Sequence, residues 1–495
     1  MNKIIPLKVY PLSNRQEALL VDDAIHSGLP VNNVLTRLII KGAIDSDVFT
    51  KAFNHLCSQH TIFSTVIDFD KNSGRSVFKL VEKSNNIELI DVVGSSVVEY
   101  EKTSDFQDWC SGVFIYAEHL YKARLVKFSE QLYGFYLNQH HLITDASSCE
   151  KVHKSLSDYY SEIAAKSNEG LVNNEKDNFF DLLITKRQQM DEDSFNNTGR
   201  FWESYFNQAV EPIQFYNRPT YNKTARTTRV IYELDKETVV QLNELSSTIS
   251  ISVVFSSILF AFLNRVSLNQ DLSIGVQLLN RTGGAYTDTL GLLMEVCANR
   301  VLVEKDDTFE SLVEKVRKEI VAVQAHRDHF VSAKKAGYEV ILNILTSNLL
   351  DNLQSDIAGT NWSGRESLSI QVQRLSDRRQ CRLSFDFNLG VWNSGVLRER
   401  AVNHFALLLK HFLTDRTKKI TEIDLLTSDE KSLLFPKKYN NYVNKRQVLS
   451  VVDLFKQQVN TTPDKIAVQF NKQDISYATL AAQVDDLAQQ LCQLG

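Results

Sequence analysis

The stretch LYGFYLNQHHLITDASSCEKVHKSLSDYYSEIAA, residues 132–165, decides the fold of this 495-residue chain. Its first part predicts a strand over 132–139, with alternate apolar residues on one side at Tyr133, Phe135 and Leu137. Its last part predicts a helix over 150–164, because apolar residues recur at helical spacing at Val152, Leu156, Tyr159 and Ile163. The stretch is therefore expected to form a strand, a polar turn and a helix.

Two histidines and an aspartate stand in the predicted turn, at His140, His141 and Asp145. Adjacent side chains at a strand end point to opposite faces, so one histidine can face a cleft while the other packs inward. Asp145 can order the turn by accepting hydrogen bonds. Ala146 and Ser147 can offer unpaired N–H groups at the positive end of the helix, where an oxyanion can be held beside an imidazole base. Without further context, two incidental histidines between a strand and a helix explain the pattern equally well.

The segment HHLITDA, residues 140–146, resembles the HHxxxDG signature of condensation domains of nonribosomal peptide synthetases, members of the chloramphenicol acetyltransferase-like superfamily. The resemblance implies that His141 is the catalytic histidine and that His140 and Asp145 support it. The glycine of the signature is Ala146 here, a small replacement that leaves the backbone N–H available. The resemblance also implies that N–H groups near Ala146 and Ser147 stabilise the oxyanion of the attacked thioester.

Further motifs follow in the family's order over residues 1–435. PLSNRQEALL resembles the motif SxAQxRLW and implies structural roles for Ser13 and Gln16. QHTIFSTVI resembles RHExLRTxF, but Gln59 and Ser64 stand at its two arginine positions. A supporting salt bridge to the motif aspartate is therefore expected to be absent or replaced.

The segment LGLLMEVCANRV resembles the motif IGxFVNTxxxR and keeps Gly291 and Arg300, while Glu295 replaces the asparagine. FWESYF, residues 201–206, resembles a tryptophan-containing helix of the family. We expect Ser148, Gly291 and Glu295 to line the substrate channel and Arg300 to be structural. Glu295 either faces solvent or pairs with Arg300, or it holds the ammonium group of the acceptor or reshapes the channel.

No metal site is predicted. AHRDHF resembles the motif HxHQDVPF, and its residues His326, Asp328 and His329 are interpreted as a helix end because no third cluster of ligands is visible. The six cysteines lie far apart, which indicates reduced thiols in a cytoplasmic protein.

The composition indicates a soluble globular protein, with 43% hydrophobic and 23% charged residues. A net charge of -5 gives no basic footprint for nucleic acid. The most apolar stretch, residues 253–263, is shorter than the roughly 20 residues that span a membrane. We expect a cytosolic monomer without a membrane partner.

The resemblance implies an α/β (α+β) fold with two chloramphenicol acetyltransferase-like lobes in a V arrangement. The N-terminal lobe is expected over 1–166, the C-terminal lobe over 167–435 and a linker over 436–450. The tail 451–495 predicts a hairpin and a helix, and its segments VDLFKQQVNTTPDKIAVQF and ISYATLAAQVDDLAQQL resemble the beginning of an adenylation domain.

The function implied by the resemblance is amide-bond formation between a carrier-bound acyl group and a carrier-bound aminoacyl group. The donor is expected to be a fatty acyl or other starter group, as in lipopeptide antibiotic synthesis. The alternatives are a peptidyl donor, epimerisation, and recruitment without catalysis. The expected partners are donor and downstream carrier proteins and the adjoining adenylation domain. Substrates would arrive on phosphopantetheine arms, and the domain itself would bind no cofactor.

Overall fold

In the computed structural model of the chain, residues 132–165 form strand Leu132–His140, a 3-10 turn His141–Ile143 and helix Ala146–Ala165. The helix begins four residues before the predicted start at Glu150, because Asp145 accepts the N–H of Ser148 at 2.8 Å and so caps the first turn. The structure describes residues 9–82, 87–165, 179–189, 192–207, 209–218, 224–278, 281, 287–326, 337–347, 366–375, 379–434, 450–470 and 473–494.

The chain divides into two units, Met1–Leu425 and Leu426–Gly495. The described strands of the first unit are β1 Val9–Pro11, β2 Asn33–Lys41, β3 Thr65–Asp70, β4 Arg75–Leu80, β5 Ile87–Asp91, β6 Tyr121–Ser129, β7 Leu132–His140, β8 Thr227–Glu233, β9 Asp271–Leu278, β10 Glu295–Leu302, β11 Val340–Ser347, β12 Leu368–Leu375 and β13 Cys381–Asn388. Its described helices are α1 Asn14–Ile25, α2 Ser46–Gln59, α3 Val97–Glu101, α4 Ser104–Ser111, α5 Ala146–Ala165, α6 Phe179–Gln189, α7 Glu192–Tyr205, α8 Lys236–Leu245, α9 Ile251–Ser267, α10 Phe309–Ala325 and α11 Gly395–Thr414.

Among its described residues, the first unit has three sheets, with strand orders β1-β4-β3, β2-β7-β6-β5 and β10-β9-β11-β12-β13-β8. Strand β6 pairs in parallel with β5, and β11 pairs in parallel with β9 and β12, whereas the other pairs are antiparallel. Sheets of mixed direction that are flanked by helices confirm the predicted α/β class. The predicted lobe boundary near residue 166 and the polar residues that follow it lie outside the described residues.

Strand β7 is buried along nearly its whole length, which shows that both faces of its sheet are covered. On one face it packs against α2. The sequence predicts this helix over 46–59, with Phe49, Phe53 and Leu56 on one side, and these three side chains are buried. The same apolar cluster takes in Leu292 and Met294 from the segment that leads into β10. Apolar contact therefore ties the strand that ends at the two histidines to a segment about 150 residues later.

Residues 61–69 are rich in Val, Ile and Phe and so predict a single strand, but the structure departs from this prediction. A 3-10 turn occupies Thr61–Ser64, and the strand begins at Thr65. Three consecutive side chains, Ile62, Phe63 and Ser64, are buried in this turn.

His153, on the inner face of α5, makes the stability of the fold depend on pH. It is buried with Nε2 2.9 Å from Thr36 Oγ1, and burial lowers its pKa from 6.5 to about 4. The pKa of His153 is lower in the folded state than in the unfolded state. The contribution of His153 to stability is therefore complete above pH 6.5 and is lost as the pH falls toward 4. We expect this group to remove ~2 kcal/mol from the free energy of unfolding between pH 7 and pH 5.

Urea unfolding of the wild type and of His153→Gln at these two pH values measures the effect. The variant is expected to lose less stability on acidification than the wild type by that amount. Equal losses in the two proteins would assign the acid sensitivity to other groups.

The second unit contains helix α12 Ser428–Leu434, helix α13 Val451–Thr461, the antiparallel hairpin β14 Ile466–Phe470 and β15 Gln473–Ser476, and helix α14 Tyr477–Leu494. The hairpin and the last helix confirm the prediction for the tail, and most of the expected linker lies outside the described residues. Apolar side chains of this unit are exposed, including Val451, Leu454, Phe470, Leu487 and Leu491.

Candidate active site

His141 lies at the start of the turn that follows β7, and its ring is held in one tautomer. Nδ1 is 2.8 Å from the carbonyl oxygen of Thr144. A carbonyl can only accept, so Nδ1 carries the proton and Nε2 keeps a free lone pair. Burial and the nearby positive charge of Arg15 lower the pKa of His141. The imidazole is therefore neutral near pH 7 and offers Nε2 as a base.

His140 points to the other side and is buried in a different network. Its Nδ1 accepts the N–H of Leu142 at 3.1 Å, and its Nε2 donates to Asp23 Oδ2 at 3.0 Å. Burial raises the pKa of Asp23, but hydrogen bonds from His140, Tyr116 and Asn32 outweigh it and hold the pKa below its ordinary value. Both ring nitrogens of His140 are engaged, so this histidine fixes the end of the strand.

Asp145 joins the turn to distant parts of the chain. Its carboxylate is buried, forms an ion pair with Arg281 at 2.8 Å and accepts the N–H groups of Ser148, Leu293 and Met294 at 2.8, 3.0 and 3.1 Å. Burial raises the pKa of Asp145, yet the charge of Arg281 and these hydrogen bonds hold it below its ordinary value. Asp145 is thus an ionised clamp behind the histidine turn.

Arg281 is a site residue that the sequence did not reveal. The salt bridge to the motif aspartate was expected to be absent or replaced. It is replaced, because Arg281 is the ion-pair partner of Asp145. Its Nη2 also donates to Ser148 Oγ at 2.7 Å and to the carbonyl of Gly291 at 3.0 Å. No local pattern could identify it, since the pairing joins residues 136 positions apart.

Ser148 and Gly291 form a direct link between α5 and the segment before β10. Ser148 Oγ donates to the carbonyl of Gly291 at 2.8 Å and accepts the N–H of Gly291 at 3.0 Å. Together with the bond from Arg281, these contacts use the full capacity of the hydroxyl. The structure therefore places Ser148 behind the turn as a connecting group.

Replacing Gly291 is expected to damage this link. Its φ is +136°, and a Cβ built there would overlap the ring of Phe179. Gly291→Ala is therefore expected to lower the free energy of unfolding by on the order of 3 kcal/mol. Gly74→Ala is the matched control, because its φ is +67° and nothing lies within 4 Å. It is expected to cost ~1 kcal/mol. Denaturant unfolding of both variants checks the difference, and equal losses would contradict the role of Phe179.

Ala146 and Ser147 occupy the first turn of α5. The first N–H groups of a helix have no acceptor within the helix. Asp145 accepts two of them. Its carboxylate accepts the N–H of Ser148, and its backbone carbonyl accepts the N–H of Cys149 at 2.9 Å. Ala146 and Ser147 precede these two residues, are partly exposed, and lie close in sequence to His141.

A family model described as the condensation domain matches residues 7–435 of the chain. The chain belongs to the condensation domain family. Such a domain is an acyltransferase that forms amide bonds, and it requires no cofactor of its own. The match covers all the site residues described above.

Three similar proteins illustrate the relationship. Tyrocidine synthase 3 of Brevibacillus parabrevis is 21% identical over 509 residues, which cover 98% of this chain but 8% of that synthase. The solved first condensation domain of the CDA synthetase is 17% identical with a TM-score of 0.71, over 85% of this chain and 99% of that one. The solved starter condensation domain of rhizomide synthetase RzmA is 16% identical with a TM-score of 0.69, over 85% and 100%. The structural matches confirm the chloramphenicol acetyltransferase-like fold.

Ser13 and Gln16 connect the first helix of this condensation domain to the histidine turn. Ser13 caps α1 in a reciprocal capping box with Gln16. Gln16 also donates from Nε2 to the carbonyl of Leu142 at 2.8 Å. The structure thus gives Gln16 a contact with the turn and Ser13 the bonds that position Gln16.

Glu295 and Arg300 lie at opposite ends of β10. Five residues of strand separate them by roughly 17 Å and place them on opposite faces, so a direct pair between them is out of reach. Arg300 donates to Asp271 Oδ1 from Nε at 2.8 Å and to the carbonyl of Tyr205 at 3.0 Å. Glu295 is partly exposed at the start of the strand, beside the segment that contacts Asp145.

In the described part of the chain, no group of three or more His, Cys, Asp or Glu residues could hold a metal ion. His326 ends α10, where its carbonyl accepts the indole N–H of Trp202, while Asp328 and His329 lie outside the described residues. No described helix is both long and apolar enough to cross a membrane.

Proposed function

We propose that this condensation domain transfers an acyl group from a carrier-protein thioester to the amino group of a carrier-bound aminoacyl acceptor in nonribosomal peptide synthesis. The observation that carries the proposal is the ring of His141, neutral and anchored through Nδ1 with Nε2 free. A base of this kind, at a strand end and beside a helix N-terminus, suits attack by an amine on a thioester.

The proposed reaction proceeds in two steps. The acceptor amine attacks the thioester carbonyl as the new C–N bond forms, and His141 Nε2 takes up or positions the amine proton. The N–H groups of Ala146 and Ser147 stabilise the oxyanion. When the intermediate collapses, the C–S bond breaks and the proton passes from His141 to the departing thiolate. The base is thereby restored, with no metal or nucleotide consumed.

The supporting residues hold the reacting groups in place. We propose that His140 and Asp145 fix the turn on its two sides, through Asp23 and Arg281. Ser148 and Gly291 shape the channel wall through the bonds between them. Glu295 faces the acceptor side of the channel, where it holds the ammonium group of the acceptor or limits the size of the channel.

For the donor, we propose a fatty acyl or other starter group. The rhizomide relative is a starter condensation domain, and one variant of it was solved with C8-CoA. The peptidyl donor is the second candidate, since the curated relatives include a subunit of gramicidin S synthase and other peptide synthases.

The proposed organisation has an N-terminal lobe over 1–166, a C-terminal lobe over 167–435, a linker over 436–450 and the beginning of an adenylation domain over 451–495. The separate second unit, with its exposed apolar side chains, supports the last part of this proposal. The proposed partners are a donor carrier, a downstream carrier and that adenylation domain.

The test is a reconstituted transfer assay with an acceptor carrier loaded with an amino acid. Donor carriers bearing acyl groups of increasing length are compared with donor carriers bearing dipeptides, and intact-mass spectrometry follows the mass of the acceptor. Transfer of fatty acyl groups in preference to peptides supports the starter donor, and the reverse preference supports the peptidyl donor. A folded protein that transfers neither would overturn the proposed function.

A further inference from the structure

Arg15 lies beside the site and has no recorded ion-pair partner in the described part of the chain. It stands in the first turn of α1, next to Gln16, whose side chain reaches the carbonyl of Leu142 in the histidine turn at 2.8 Å. Arg15 is partly buried, and its Nε is fully buried without a hydrogen-bond partner. The bond from Gln16 holds this first turn of α1 against the histidine turn, and the positive charge of Arg15 adds to burial in lowering the pKa of His141.

This position is unfavourable for a lone arginine. A cation in the first turn opposes the helix dipole, and a buried N–H without an acceptor loses its hydration without compensation. In the motif SxAQxRLW that this segment resembles, Arg15 stands at the alanine position and Ala18 at the arginine position. The chain therefore carries its arginine about one helical turn from the place where the motif has one.

We propose that Arg15 binds a carboxylate carried by the acyl or aminoacyl group at His141, and that it makes the domain selective for acidic substrates. This inference rests on the proposed function and specifies its substrate class. A guanidinium pairs with a carboxylate through two parallel N–H···O bonds, which would satisfy the buried Nε and neutralise the charge.

The phosphate of the phosphopantetheine arm is a less suitable partner. It lies at the far end of the arm from the thioester sulfur, whereas Arg15 acts on the histidine where the C–S bond breaks. An anion that meets both Arg15 and His141 must therefore belong to the transferred group or to the acceptor amino acid.

Matched acid and amide substrates test the inference. Acceptor carriers are loaded with aspartate or asparagine and with glutamate or glutamine, and donor carriers with a dicarboxylic acyl group or its monoamide. The kcat/KM of transfer is measured by intact mass for the wild type, Arg15→Gln and Arg15→Lys. Arg317→Gln is the control, because it removes one positive charge from an exposed position on α10.

The wild type is expected to prefer the acid in at least one pair. Arg15→Gln is expected to lower the ratio of acid transfer to amide transfer ~10–100-fold. Arg15→Lys should fall between them, and Arg317→Gln should match the wild type. Equal losses for acid and amide, or a wild type without preference, would overturn the inference and leave the proposed function standing. Absence of transfer from every pair would overturn both.

Discussion

Replacing His141 with alanine is expected to slow amide formation by ~10²–10⁴-fold, the range typical of a lost general base. The effect follows from Nε2, the one ring nitrogen that the Thr144 carbonyl leaves free. Initial rates from intact-mass spectrometry measure it, and circular dichroism shows that the variant is folded. His55→Ala is the matched control, since His55 is a partly buried histidine of α2 that packs against Tyr159, away from the turn.

An NMR titration of the His141 ring tests the same role of His141 as a base. Burial and Arg15 lower the pKa of His141 from its ordinary value of 6.5, so an NMR titration of its ring protons should have a midpoint below 6.5. The His141→Ala spectrum identifies the signal. A midpoint above 6.5, or a variant as active as the wild type, would contradict the role of His141 as a neutral base.

Arg281→Gln is expected to lower the free energy of unfolding of the first unit by ~3–5 kcal/mol, because it leaves the carboxylate of Asp145 buried without its counter-charge. Asp145 and Arg281 expose only 1% and 6% of their side chains. Denaturant unfolding of the chain measures the loss. Arg382→Gln is the matched control: its pair with Glu233 is exposed, and its loss is expected to stay below ~1 kcal/mol.

A double variant separates the charge from the packing. Asp145→Asn combined with Arg281→Gln removes both charges, and it should be more stable than Arg281→Gln alone. If the double variant loses the sum of the two single losses, the ion pair is not the source of the effect.

The sequence predicted best those elements whose signals are local. The alternation in β7 and the stripe on α2 depend on neighbours within a few residues, and both elements lie where they were predicted. The sequence also predicts that His140 and His141 point apart, and the structure gives them different partners, although His141 lies in the 3-10 turn and not in the strand. At the start of α5, the helix period alone did not reveal that Asp145 caps the helix.

The contacts that the sequence left open join residues that are far apart along the chain. The missing arginines at Gln59 and Ser64 indicated that the salt bridge of the motif aspartate was absent or replaced, but not which residue replaced it. Arg281 is recognisable only once the fold brings it to Asp145. In the same way, the pairing of Arg300 with Asp271 depends on the register between β9 and β10.

The clamp on Asp145 also sets the order of events during synthesis on the ribosome. The N–H of Leu293, which Asp145 binds, is 148 residues further along the chain. At ~5–20 residues per second, this separation corresponds to roughly 7–30 s of translation. During that interval the nascent chain holds both histidines, but Arg281 and Leu293, which complete the hold on Asp145, are made only towards its end. Translation therefore fixes the earliest moment at which a newly made molecule can have a complete site.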